Sequence, residues 1–127
     1  MANRVIKEKV SPVAQAFLMT AGEALDAGYP LVINPADGLV YKITTDGYVC
    51  GVSADGVESG AEVKVQTGCW EFPTAAGVNS VDVGQVAYMT DAGTVATVSS
   101  AGQRAGVITA VERTGYAFVT FQFPIAQ

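Results

Sequence analysis

The sequence predicts an all-β fold: an internally duplicated small β-sandwich or β-barrel-like body, preceded by an extended N-terminal arm. Three observations predict it. The chain contains its own copy, because Leu25-Asp26-Ala27-Gly28 returns 56 residues later as Val81-Asp82-Val83-Gly84. After a one-residue gap the match runs at an offset of 55, taking Gly38 to Gly93, Val40 to Val95, Gly47 to Gly102, Gly51-Val52 to Gly106-Val107 and Gly60 to Gly115. Glycine is required where the backbone takes positive φ or approaches another strand closely, so matched glycines imply matched turns. Second, three Asp-Gly pairs fall nine residues apart, at Asp37, Asp46 and Asp55, and Asp-Gly suits tight hairpin turns. Third, Ala61–Thr67 alternates apolar and polar residues with the period of a half-buried strand.

Residues 1–22 lie outside the detected repeat and are assigned to the arm. Their apolar residues follow no clean strand or helix period, although Val13–Thr20 is the best helix candidate in the chain. Residues 23–127 form a single β domain of two pseudo-repeats, about 25–66 and 81–121. Within the first, Leu39–Thr44 and Tyr48–Ala54 are strand-length runs between Asp-Gly turns. Asp26 and Asp82 head turns, where a carboxylate bonds its own backbone. In Ala61–Thr67 one face is Ala61, Val63, Val65 and Thr67, and the other is Glu62, Lys64 and Gln66. Cys69–Phe72 places Trp70 and Phe72 on one strand face and leaves Glu71 exposed on the opposite face. Small, loop-like residues 73–79 join the copies. At an offset of 55 the last strand, Tyr116–Phe123, sets Ala117, Val119, Phe121 and Phe123 on the face that is polar in the first copy. That face then needs a cover: the arm, a neighbouring subunit or the other half of the domain.

Composition narrows the function. With 127 residues, half of them apolar and 15% charged, the chain is one ordered domain. No apolar run approaches the ~20 residues that span a bilayer, and Met1–Val10 lacks the apolar core of a signal peptide, which points to a protein made in a cytoplasm. Residues 1–10 hold three of the seven basic residues and one of the twelve acidic ones, so a +2 arm precedes a −7 body. An acidic body repels phosphate backbones, which argues against nucleic acid, and a basic arm suggests a docking role. Cys50 and Cys69 are too few and too isolated for a disulfide framework or a zinc site, and Cys50 reads as a small core residue. Histidine is absent, and neither a nucleophile elbow nor a phosphate loop is present. Lys42 and Lys64 lie within strands rather than at a hairpin tip, which disfavours a lipoyl-type carrier. No enzyme, cofactor or metal is indicated.

The order of motifs resembles the small capsid decoration, or cement, proteins of tailed bacteriophages, a family of short head proteins long catalogued as a domain of unknown function. The resemblance covers residues 22–123. It rests on Gly22-x-x-Leu25-x-x-Gly28-x-Pro30-Leu31-Val32, Gly51-Val52, Gly60-x-x-Val63-x-Val65-x-x-Gly68 with the aromatic tail Trp70 and Phe72, Val81-x-x-Gly84-x-x-Ala87-Tyr88, and Gly106-Val107. The phage lambda head-decoration protein is a looser relative in style. The resemblance implies a non-catalytic virion protein, assembled in the bacterial cytoplasm, that binds the outer capsid face, bridges major capsid subunits and self-associates, as a homotrimer rather than a dimer. Nucleic acid and membrane are not among its implied partners. No family motif fixes the contacts, so pattern alone nominates Arg4, Val5, Ile6, Lys7, Lys9, Val10, Phe17, Trp70, Phe72, Val119, Phe121 and Phe123 for the capsid or subunit interface. The alternative reading is a carbohydrate-binding β module that stacks sugars on Trp70, Tyr88 or Tyr116.

Overall fold

The computed structural model describes residues 3–9, 15–44 and 47–121. They are all-β, as expected. The strands are β1 (Glu8–Lys9), β2 (Ala16–Thr20), β3 (Pro30–Ile33), β4 (Val40–Lys42), β5 (Tyr48–Ser53), β6 (Glu62–Gln66), β7 (Cys69–Pro73), β8 (Val86–Met89), β9 (Val95–Ala96), β10 (Gln103–Ala110) and β11 (Tyr116–Phe121). They build two antiparallel sheets in a sandwich-like body, ordered β2-β6-β5-β3-β4 and β1-β7-β11-β10-β8-β9. Leaving β1 aside, each sheet also curls until its ends meet. Ala21, just past β2, bridges Val40 on β4, and Thr74, just past β7, bridges Val95 on β9. The neighbouring amides reinforce this, Gly22 N–H donating to Val40 O at 2.8 Å and Ala75 N–H to Val95 O at 2.7 Å.

Apart from β1, the two sheets repeat one strand order. β2, β6, β5, β3 and β4 correspond to β7, β11, β10, β8 and β9, and the register repeats too. Leu31 faces Gly51 and Val32 faces Val49, while Ala87 faces Gly106 and Tyr88 faces Arg104. The intervening Cys50 and Ala105 are therefore matched bulges. The glycine beside each bulge answers to steric need. A Cβ on Gly51 would press on the Gln66 carbonyl, and one on Gly106 would collide with that of Thr120.

The duplication starts earlier than the sequence match. Phe17 pairs Val65 and Met19 pairs Val63, as Trp70 pairs Val119 and Phe72 pairs Ala117. Residues 16–20, assigned above to the arm and to the helix candidate, are thus the first strand of the first copy. Their burial alternates, with Phe17 and Met19 half-buried and Ala16, Leu18 and Thr20 exposed. That is a strand period. Residues 13 and 14 of the helix candidate lie outside the described residues.

The last strand corrects a second expectation. Val52 faces Gln66 while Val107 faces Thr120, so the offset there is 54 rather than 55. One residue is lost on entry to β11, and a one-residue slip exchanges the faces of a strand. Ala117, Val119 and Phe121 therefore match Val63, Val65 and Thr67 and point into the core, each at most 5% exposed. Phe118, not Val119 or Phe121, occupies the outer side. Phe123 lies outside the described residues. Similarly, Leu25 is 2% exposed but its sequence match Val81 is 80% exposed. Val78 packs on the second core instead.

The cores show how the copies meet. Leu31, Val40, Cys50, Val63 and Val65 fill the inner side of the first copy, capped by Leu25. The inner residues of the second copy, among them Phe72, Met89, Ala105, Val119 and Phe121, form one cluster with Val32, Ile43, Val49 and Val52 from the outer side of the first. Phe72 and Phe121 meet edge to face at 5.8 Å. The copies are therefore stacked head to tail, the inner side of one on the outer side of the other. Burying each of those four first-copy side chains is worth roughly 1.5–3 kcal/mol.

Candidate functional site

Residues 3–9 run along the junction between the copies. Arg4 N–H donates to Ala27 O at 2.9 Å. Its Nε donates to Gly28 O at 2.6 Å and its Nη2 to Gly93 O at 2.9 Å, so one guanidinium ties carbonyls from both copies. The guanidinium also stacks over Tyr29 at 3.9 Å and lies 5.6 Å from the Phe72 ring. Burial lowers the Arg4 pKa from its ordinary value, opposed by Tyr29. Arginine stays cationic at neutral pH, and hydrogen bonds from an ionised donor are the strong ones.

The segment is fastened again further on. Ile6 packs on the second core. Glu8 and Lys9 pair with Trp70 and Cys69 at the edge of β7, and Glu71 N–H donates to Lys7 O at 2.8 Å. Lys9 bonds Glu112 and places its Nζ 4.8 Å from the Phe118 ring, which is the cover for the outer apolar residue of β11. The Glu112 bond raises the Lys9 pKa and lowers that of Glu112. The expected arm is therefore a strap on its own body across the described residues. Outward it presents Val5, fully exposed, and then the exposed Lys7, Glu8 and Lys9, the last paired with Glu112. Open depressions flank it, one between Val5, Ala27, Val52 and Trp70, the other between Lys7, Pro73, Arg113 and Tyr116.

The other nominated residues divide. Phe72, Val119 and Phe121 are core and drop out as interface candidates. Phe17 and Trp70 are half-buried at equivalent positions, with Trp70 packed on the second core and its Nε1 donating to Thr67 O at 2.9 Å. Val10 lies outside the described residues. The proposed sugar platforms do not come together. The face of Tyr116 is covered by the Arg113 guanidinium at 3.6 Å, Trp70 is engaged in the core, and Tyr88 is half-buried on β8.

Glu71 is on the face opposite Trp70 and Phe72, but it is 2% exposed rather than solvated. Arg113 meets one carboxylate oxygen with Nε at 3.1 Å and Nη2 at 2.8 Å. That bond raises the Arg113 pKa. Nothing in the sequence links a strand carboxylate to a turn arginine 42 residues away. Desolvation pushes the buried Cys50 thiol up to about 12, which leaves it protonated and inert. Among the described residues, no three or more potential metal ligands cluster, and no helix is long and apolar enough to cross a membrane. No protein-family model and no curated protein matches the chain.

Proposed function

We propose that the protein is a structural decoration, or cement, protein of a tailed-phage head, which binds the outer capsid surface and bridges neighbouring major capsid subunits. The motif order of the sequence supports this reading, and one structural observation carries it. The strap is locked across the body by Arg4, Ile6 and β1 while Val5 and Lys7 face outward. A contact strip fixed in advance loses little entropy on docking, and its exposed Val5 and Lys7 fit a capsid surface offering a carboxylate beside apolar residues. The two head-to-tail β units supply a stiff body for bridging. On this reading the protein resides on the virion as a homo-oligomer, a trimer rather than a dimer.

Co-sedimentation with expanded heads of the corresponding phage tests the proposal. The wild-type protein should pellet with the heads in a saturable ratio. A Val5→Asp, Lys7→Glu variant should stay in the supernatant while melting at the wild-type temperature, because both side chains are exposed. Wild-type protein that remains in the supernatant at every ratio would overturn the reading.

A further inference from the structure

We propose that the outer side of the second-copy sheet is a docking face, which continues the strap contact and receives an acidic, apolar-centred surface of a major capsid subunit. The same side of the first copy is a packing face, since Val32, Val49 and Val52 lie in the cluster shared with the second copy. The repeated register carries those positions to Tyr88, Arg104 and Val107. There they are left accessible. Tyr88 and Val107 are half-buried, as is Val86 opposite Val107, and Arg104 is exposed. Val98, in extended backbone two residues past Ala96 of β9, borders the face at 57% exposure.

Charge selects the occupant. Lys7 and Lys9 alternate with Glu8 along the edge of β7, and Lys9 reaches the ring of Phe118 on the outer side of β11. With Arg104 and Arg113 they place four of the chain's seven cations on or beside this side. The carboxylates set among them are Glu71 and Glu112, paired with Arg113 and Lys9. Lys7 and Arg104, separated by β7 and β11, form no side-chain hydrogen bond or ion pair among the described residues. The other three cations share the rest of the chain with ten carboxylates, so a side of formal charge +2 sits on a remainder of −7. Two unpaired cations flanking apolar side chains match a partner that offers carboxylates around an apolar centre. Nucleic-acid contacts are more polar than that, which favours a protein surface.

The capsid as occupant rests on the decoration reading, and the face is tested on the full-length protein with expanded heads. A Val98→Asp, Arg104→Glu variant should melt at the wild-type temperature, because both side chains are exposed, and should sediment like the wild type without heads. Its half-saturating concentration on heads should rise at least tenfold, with a weaker dependence on salt than the wild type shows. Arg104→Gln alone, which removes the charge and no apolar contact, should raise it at least threefold. Leu18→Asp, on β2 and 69% exposed, should bind heads like the wild type. Four outcomes overturn the proposal: variants of the face that bind like the wild type, an equal loss with Leu18→Asp, an oligomer that the double variant breaks without heads, or a DNA duplex retained by the wild type and released by the variant. Wild-type protein that never pellets overturns the decoration reading instead, and the capsid occupant with it.

Discussion

Arg4 donates to one carbonyl of each copy and stacks on Tyr29, so its loss leaves Gly28 O and Gly93 O without that partner. Hydrogen bonds from a charged donor contribute about 1.5–3 kcal/mol each, and Arg4→Ala should lower the stability measured by urea unfolding by about 2–4 kcal/mol. Glu71 and Arg113 behave differently. Removing Arg113 strands a carboxylate that is 2% exposed, and an uncompensated buried charge is worse than none. Arg113→Met should therefore melt well below wild type, and adding Glu71→Gln should recover much of the loss; a double variant no more stable than the single one would contradict this. Asp37 accepts a bond from the Tyr41 hydroxyl at 2.6 Å, which lowers the Asp37 pKa from 3.8 and raises that of Tyr41 from 10.0. A depressed carboxylate pKa stabilises the fold above its unfolded value and is lost as pH falls through the folded one; a raised phenol pKa stabilises below its unfolded value and is lost as pH rises. The bond therefore acts across the range between them. Asp37→Asn should reduce the change in melting temperature below pH 4, and it should shift the Tyr41 phenolate absorbance to lower pH.

At the scale of elements, turns and central strands were legible because glycine positions and alternation report local geometry directly. The ends of the repeat were not. β2 carries Phe17 and Met19 where β7 carries Trp70 and Phe72, a correspondence of shape and burial without identity. β11 loses one residue at its entry, which inverted the expected faces of Val119 and Phe121. The strap was misread for a third reason. Arg4, Ile6 and Lys9 stand out in the sequence as candidates for a capsid or subunit interface, whereas in the structure their partners include the carbonyls of Gly28 and Gly93 and the edge of β7 of the same chain. Backbone acceptors leave no mark in a sequence, so cis docking could not be told from docking on another protein. The structure therefore changes what truncation should do. Deleting residues 2–12 removes Arg4, Ile6 and β1, and should broaden and lower the thermal transition rather than leave the body unaffected. A truncated chain that melts like the full one would restore the picture of a detached arm.

The whole molecule is two small β units stacked head to tail, closed on themselves by the bridges at Ala21 and Thr74 and tied together by a strap. Stacked repeats gain stability from neighbour contacts, and the cluster shared by Phe121, Val32 and Val49 is such a contact. The functional account assigns this stiffness to a load, the reinforcement of a capsid against its packed DNA. Repeated contacts around an oligomer would add through effective concentration. The most direct measurement is the temperature at which full heads release DNA, followed by dye fluorescence with and without saturating protein. The account predicts a release temperature several degrees higher for decorated heads, and no shift with the Val5→Asp, Lys7→Glu variant. Heads that bind the protein yet release DNA at the unchanged temperature would contradict it.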